Sequence, residues 1–140
     1  MEDAREYLQP GTDGSAEEIA EEETLASRYG SGALGVYSTP AMVALMEGAA
    51  VDAVADALPD GWTTVGISLD VRHLEPSAPG SHITARAKLR EMKGLRLIFD
   101  VSAEDDAGKI GEGTHQRYCV ESEPFLARAT ARMSADGESR

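Results

Sequence analysis

The spacing of apolar residues changes from a helical period to a strand period near residue 60. Before that point, small and apolar side chains recur every three or four positions and form one stripe of a helix. The stripe consists of Met42, Leu45, Met46, Ala49 and Ala53. After that point, apolar and polar residues alternate, first over residues 65–71, as in a strand with one buried face. The chain must therefore pack one long helix against several strands.

The predicted helix has clear start and stop signals. Thr39 is a good N-cap, and Pro40 suits the first helical position, where a missing N–H costs nothing. The run from Pro59 to Gly61 is unfavourable to a helix. We therefore predict a helix over residues 39–58.

Further strands are predicted over residues 83–90, 95–103 and 109–120, with turns rich in Gly or Asp between them. A short edge strand is predicted over residues 19–25, and Pro124 opens a C-terminal helix. Residues 1–15 are expected to be a flexible lead-in, residues 16–133 a single domain, and residues 134–140 a flexible tail. One long helix followed by four hairpin-linked strands predicts an α+β fold, in which an antiparallel sheet curls around the helix.

Composition excludes several classes of protein. The net charge of −12 argues against a nucleic-acid partner, because phosphates require a basic surface. No apolar run approaches the roughly 20 residues of a membrane span, and no signal-peptide core is present, so we expect a cytoplasmic protein that does not bind membranes. The single cysteine, Cys119, predicts neither a disulfide framework nor a metal cluster, and we expect it to be a small buried side chain.

The acidic charge is distributed unevenly. Residues 1–38 contain nine acids and two bases, whereas residues 72–120 contain seven acids and eight bases. The outer face of the strand at residues 83–90 is therefore either an anion site or an ordinary solvated surface. The basic residues in question are Arg86, Lys88, Arg90 and Arg96.

Glu47 is the candidate for chemistry that the helix itself points to. The residues three and four positions away are Val43, Ala44, Ala50 and Val51, so no cation of the same helix can pair with it. Burial of an unpaired carboxylate costs several kcal/mol. We therefore expect Glu47 either to serve a reaction or to find a partner on another element.

His73 extends the alternation of the first strand by one further step of two, so we expect its ring to face the helix. An imidazole near a carboxylate is a general acid and base pair, although a histidine at a strand end is often only structural. The helix start at Thr39 also offers backbone N–H groups that could hold an oxyanion.

Gly66 and Arg117 complete the set of residues with a candidate role. Gly66 interrupts a β-branched strand and indicates a bulge, a close approach by a ligand or a simple kink. His115 and Arg117 are expected on the face opposite Ile110 and Tyr118, in a solvated or ion-pairing role.

Three segments together resemble the fluoroacetyl-CoA thioesterase family of hotdog-fold proteins. They are Thr39-Pro40 with Glu47 eight residues on, Val65-Gly66 with His73 seven residues after the glycine, and the run Gly111-Glu112-Gly113-Thr114-His115-Gln116-Arg117. The resemblance implies a hotdog fold and a catalytic set of Thr39, Glu47 and His73. It also implies that Gly66 lies beside the acyl group, that Arg117 lies near the site, that the partner is an acyl-CoA, and that the chain is a homodimer. No cofactor is implied.

One departure from that family concerns the loop at residues 28–38, which leads into the helix and is placed to act as a lid. Fluoroacetyl-specific members have Phe side chains in this segment, whereas here Ala33 and Leu34 occupy it. We therefore expect a small or medium acyl-CoA, with Ala33 and Leu34 near the substrate.

The leading hypothesis is hydrolysis of that thioester, with His73 activating water or a nucleophile and Thr39 binding the carbonyl oxygen. Glu47 would be either the nucleophile or an orienting group. On this hypothesis, some of Arg86, Lys88, Arg90 and Arg96 are expected to contact the CoA phosphates. A hotdog hydratase or dehydratase, and a binding protein without catalysis, are the alternatives.

Overall fold

The computed structural model describes residues 8–138, with side chains up to residue 134. Five strands and three helices are joined by short connections, and a 3₁₀ turn covers Glu22–Thr24. In chain order the elements are β1 (Asp13–Ile19), α1 (Ala26–Tyr29), α2 (Thr39–Val54), β2 (Trp62–His73), β3 (His82–Lys93), β4 (Arg96–Asp105), β5 (Gly108–Glu121) and α3 (Ser122–Glu138).

The five strands form one antiparallel sheet in the order β1-β3-β4-β5-β2, and α2 packs against its inner face. The core lies between the helix and the sheet. Its largest members are Tyr37, Phe99, Met42, Met46, Ile83, Leu89 and Leu97. The prediction of an α+β fold with a sheet around one helix is therefore confirmed.

Small residues let the sheet approach the helix closely. A Cβ atom at Gly14 would lie 2.6 Å from the carbonyl oxygen of Ala49, and one at Gly111 would lie 2.5 Å from the sulfur of Met42. Real Cβ atoms do not come this close to other heavy atoms, so side chains at these positions would push strand and helix apart. This packing explains why the chain has so many alanines and glycines and so few aromatic residues.

The ends of α2 differ from the prediction. The N-cap is Ser38, whose hydroxyl accepts a 3.1 Å hydrogen bond from the Ala41 N–H, and Thr39 is already the first helical residue. Both residue types cap well, so the local pattern did not separate them. The helix ends at Val54 rather than near Leu58, because the next turn tightens and the Ala57 N–H donates to the carbonyl of Val54.

Two expectations about the strands are also wrong. The edge strand is Asp13–Ile19, not residues 19–25, and it lies partly within residues 1–15, for which we predicted no regular structure. β2 pairs with β5 rather than with β3, so these consecutive strands are not a hairpin. The C-terminal helix predicted at Pro124 is α3, Ser122–Glu138. Residues 1–7 and 139–140 lie outside the described residues.

A bulge in β2 determines which side chains face the helix. Gly66 pairs with Arg117 and Ser68 with Gln116, so Ile67 is an extra residue. One extra residue shifts the alternation of the strand, so the inward and outward positions before the bulge are exchanged relative to those after it. Ile67, which we predicted to be buried, is 48% exposed, and Thr64, which we predicted to face outward, is 8% exposed. The bulge was one of the three explanations for Gly66.

No helix within residues 8–138 is long and apolar enough to cross a membrane.

Candidate active site

The first part of the site lies where α2 begins and β2 ends. Because Ser38 caps the helix, the Thr39 hydroxyl is available to another group, and its oxygen lies 2.7 Å from Nδ1 of His73. The predicted orientation of His73 toward the helix is therefore confirmed. A shallow depression beside the pair is also lined by Ser31, Val36 and other residues of the preceding loop.

The other ring nitrogen of His73, Nε2, is buried and has no hydrogen-bond partner in the described part of the chain. Burial lowers the pKa of His73 below its usual value, and the backbone at Glu75 opposes this effect. The ring is therefore mainly neutral at pH 7 and can accept a proton. A buried ring nitrogen without a partner is the arrangement expected where a substrate or water molecule binds.

The second part of the site lies two helical turns further along α2. Arg117 of β5 donates from Nη1 to Oε2 of Glu47 over 3.3 Å. The expectation that Glu47 needs a partner from another element is therefore confirmed. The two side chains differ in exposure, 7% for Arg117 and 41% for Glu47, so the carboxylate has an open side.

Arg117 is held by three further hydrogen bonds. Its Nε donates to the Thr64 hydroxyl at 2.9 Å, its Nη2 to the Thr64 carbonyl at 3.0 Å, and its Nη1 to Nε2 of His115 at 3.1 Å. Burial lowers the pKa of Arg117, while Glu47 raises it. A guanidinium stays protonated in proteins, so the site keeps its positive charge.

The solvated role that we predicted for His115 and Arg117 is wrong, whereas the alternative of an ion-pairing role is confirmed for Arg117 by its contact with Glu47. Both are buried on the helix side of the sheet, and Tyr118 is 39% exposed on the other side. The sequence did contain a usable signal. Cys119, which we correctly expected to be buried, is two positions after Arg117 and four after His115, so a strand places all three on one face.

Gly66 lies against the Glu47 and Arg117 pair. A Cβ atom at this position would lie 2.9 Å from Oε2 of Glu47 and 3.3 Å from Nη1 of Arg117. A depression at this point is lined by Glu47, Gly66, Ile67, Ser68, Leu69 and His115. Only glycine leaves this space open beside the two charged groups.

The two parts of the site do not meet within one chain. Thr39 and Glu47 are eight residues apart on α2, which corresponds to about 12 Å along the helix axis. His73 and Gly66 lie toward opposite ends of β2. The structure therefore brings together Thr39 with His73, and Glu47 with Gly66 and Arg117, but not all five residues.

The remaining candidates lie apart from these contacts. Ala33 and Leu34 are exposed in the loop before α2, and neither lines the two depressions. On the outer face of the sheet, Arg86 pairs with Glu104 at 2.9 Å, and Arg90 pairs with Asp100 at 3.5 Å. Two of the four basic residues predicted to bind phosphate are therefore already paired with carboxylates. No group of three metal-ligating side chains is found among the described residues.

Comparisons with known proteins agree with this architecture. A family model described as "Fluoroacetyl-CoA-specific thioesterase" matches residues 19–123. The fluoroacetyl-CoA thioesterase of Streptantibioticus cattleyicolor is 39% identical over 100 residues, which are 71% of this chain and 72% of that protein.

Two solved structures extend the comparison. The structure of the fluoroacetyl-CoA thioesterase FlK is 31% identical, with a TM-score of 0.81, and the match covers 89% of this chain and 96% of the other. A hot-dog-like protein from Thermanaerovibrio acidaminovorans is 25% identical, with a TM-score of 0.84 and coverage of 94% and 97%. The predicted hotdog fold is confirmed.

Proposed function

The chain belongs to the fluoroacetyl-CoA-specific thioesterase family, and from that premise we propose that it is an acyl-CoA thioesterase. Water is added across the thioester bond of a small or medium acyl-CoA, which yields the free acid and the thiol of CoA. The observation that carries the proposal is the contact between Thr39 and His73, whose second ring nitrogen is buried without a partner in the described residues.

His73 acts as the base in this proposal. Its lowered pKa keeps the ring neutral at physiological pH, so it can take a proton from water at Nε2 or from the Thr39 hydroxyl at Nδ1. Thr39 holds the ring in place and lies at the first turn of α2. The N–H groups of that turn are suited to stabilise the carbonyl oxygen as it gains negative charge.

Glu47 and Arg117 form the acyl side of the site. The exposed side of the Glu47 carboxylate can either attack the thioester carbon or orient the attacking water, and both roles use the same position. Arg117 holds that carboxylate in place. The absent side chain at Gly66 leaves room for the acyl group beside them.

We further propose that two chains form a homodimer through β2. Among the described strands, β2 lies at one edge of the sheet, is 12 residues long and has its outer backbone groups unpaired. A long open edge of this kind favours pairing with another strand. Apolar side chains along the same edge are also exposed, with Ile67 at 48% and Leu74 at 46%.

A two-fold dimer accounts for the separation of the two parts of the site. Pairing of two β2 edges about a two-fold axis reverses one strand against the other. The end that carries His73 then approaches the part of the partner's β2 that lies beside Glu47. We propose that Thr39 and His73 of one chain act together with the partner's Glu47, Gly66 and Arg117.

The acyl group is expected to be small or medium, without specificity for fluoroacetyl. The loop at residues 28–38 has no Phe and contains Gly30, Gly32 and Gly35, so the Phe side chains of the fluoroacetyl-specific members have no counterpart in it. We propose that Ala33 and Leu34 move over the substrate, because this loop is fixed at its base by the pairing of Leu25 with Tyr37.

A panel of acyl-CoAs assayed for thiol release tests this function. The panel includes acetyl, fluoroacetyl, butyryl and hexanoyl thioesters, with a reaction without enzyme as the control for spontaneous hydrolysis and the Glu47→Gln variant as a test of the site. We expect release from short or medium chains, with no preference for fluoroacetyl. Reversible hydration of an enoyl-CoA without thiol release would identify a hydratase. Binding without turnover, unchanged in Glu47→Gln, would identify a binding protein.

A further inference from the structure

His115 is a buried histidine to which the proposed reaction gives no role. Its Nδ1 lies 2.8 Å from the backbone oxygen of Ser68, and its Nε2 lies 3.1 Å from Nη1 of Arg117. A carbonyl oxygen can only accept a hydrogen bond, and a guanidinium can only donate one. The two partners therefore assign the proton to Nδ1 and a free electron pair to Nε2, so the ring is neutral.

The surroundings of His115 keep it neutral. Its cross-strand neighbours are apolar, Leu69 on β2 and Phe99 on β4. The charged groups that face it are Arg117 on its own strand and Glu47 on α2. Burial lowers the pKa of His115 most, the Ser68 backbone and Glu47 raise it, and Arg117 lowers it.

The ring contacts the part of Arg117 that faces the acyl side of the site. Nη1 is the nitrogen that donates to Glu47 and that lies nearest to the space above Gly66. Thr64 holds the other two nitrogens, so His115 alone shares Nη1 with the carboxylate. The same ring holds the carbonyl of Ser68, which is the first paired residue after the bulge.

We propose that His115 is a positioning residue that sets the direction of the Arg117 guanidinium toward Glu47 and the acyl group, and that it acts only as the neutral ring. The proposal rests on the proposed function for its effect on turnover. Protonation of Nε2 would place an N–H opposite an N–H and a cation beside a cation at 3.1 Å. The neutral ring is therefore required for Arg117 to keep its contact with Glu47.

Three substitutions separate the two contacts of the ring. His115→Gln keeps an acceptor near the position of Nε2, His115→Asn keeps a donor near the position of Nδ1, and His115→Phe keeps only the volume. We expect His115→Phe and His115→Asn to lower kcat/KM for the best acyl-CoA about tenfold, the value of one hydrogen bond to a charged group, and His115→Gln to recover most of it. Thermal unfolding of each variant checks that folding does not explain the order.

A pH profile supplies a readout that a purely structural role would not move. In the parent protein, protonation of His115 adds a step to the acidic limb of kcat/KM, and this step is absent in His115→Gln. Equal kcat/KM values for the Gln and Asn variants, or a His115→Phe variant with parent activity, would overturn the proposal.

Nitrogen-15 NMR of the labelled protein tests the inference without turnover. We expect His115 to show a protonated Nδ1 and an unprotonated Nε2 at pH 7, with slow rotation of the Arg117 guanidinium that is lost in His115→Asn and kept in His115→Gln. The opposite tautomer, or a guanidinium equally mobile in parent and variants, contradicts the inference. These NMR signals do not depend on turnover. If the proposed function is wrong and the inference about His115 is right, the NMR signals are as expected although no acyl-CoA releases thiol.

Discussion

The two parts of the candidate site differ in how fully their polar groups are satisfied. In the part around Arg117, all three guanidinium nitrogens donate to Thr64, His115 or Glu47, and both ring nitrogens of His115 are engaged. In the part around His73, one ring nitrogen contacts Thr39 and the other is buried without a partner among the described residues.

This difference separates a preformed region from an incomplete one. A network in which every buried group is satisfied is rigid and needs no ligand to hold its shape. A buried ring nitrogen without a partner is costly, and it persists where binding of a substrate or a second subunit satisfies it. We therefore propose that the Arg117 region serves to position groups and the His73 region to transfer protons.

The largest expected effects are on turnover at the reacting groups. His73→Ala and Glu47→Gln should each lower kcat at least about 100-fold, the lower range for a positioned acid or base. The double variant should be little worse than the poorer single one, because the groups act as a unit. His82→Ala is the matched control, since His82 is an exposed histidine on β3. Parent turnover in folded Glu47→Gln would refute the assignment.

The next effect concerns the stability of the satisfied part. Arg117→Met leaves the acceptors of Thr64 and His115 buried without a donor, so the free energy of unfolding should fall by about 1–3 kcal/mol. Arg86→Met removes an exposed ion pair with Glu104 and should change it by less than about 1 kcal/mol. Urea unfolding measures both. An equal loss in the free energy of unfolding for Arg117→Met and Arg86→Met would contradict the expectation that the buried arginine contributes more to stability than the exposed one.

A smaller effect is expected from steric change at the acyl side. Gly66→Ala must displace Glu47 or Arg117 and should lower kcat/KM about tenfold, because misplacement of reacting groups is costly in rate. Gly48→Ala is the control, since a Cβ atom there would lie 3.7 Å from Ala16, an ordinary contact. That variant should keep its activity and gain about 0.5–1 kcal/mol of stability as a helical alanine. Unchanged kinetics in Gly66→Ala would place the acyl group elsewhere.

The smallest effect is the pH dependence of stability. Burial lowers the pKa of His73 and of His115 below the usual value of about 6.5, so below that pH the unfolded chain binds more protons than the folded one. The free energy of unfolding should therefore fall as the pH drops from 7 to 5, by at most about 1.4 kcal/mol per pH unit for each ring. Urea unfolding of His115→Gln at both pH values should show a shallower fall. An equal slope in parent and variant would contradict this account of His115.

The sequence predicted elements better than their contacts. The long helix and the later strands follow from local periodicity, and Glu47 was correctly expected to find its partner on another element. The order of strands depends on pairing between distant residues, which periodicity does not encode, so the contact of β2 with β5 was missed. The single extra residue Ile67 reversed the predicted faces in the part of β2 before it, whereas Leu69 and His73 after it keep the predicted face.

The candidate site was predictable in its residues but not in its arrangement. Thr39, Glu47 and His73 were singled out from the sequence, whereas their division into two separate parts appears only in the structure. His115 was missed because a histidine in an alternating strand is as often solvated as buried, and only its spacing from Cys119 indicated the buried face.

The central claim is that one complete site combines His73 of one chain with Glu47 of the other. Glu47→Gln and His73→Ala chains, each inactive alone, can be tagged differently and purified as a mixed dimer. Each mixed dimer contains one intact site, so it should regain about half of the parent activity. A mixed dimer of Glu47→Gln with Arg117→Met should regain none, because both lesions lie in the same part of the site. Failure of the first pair to regain activity in a purified mixed dimer would contradict the shared site.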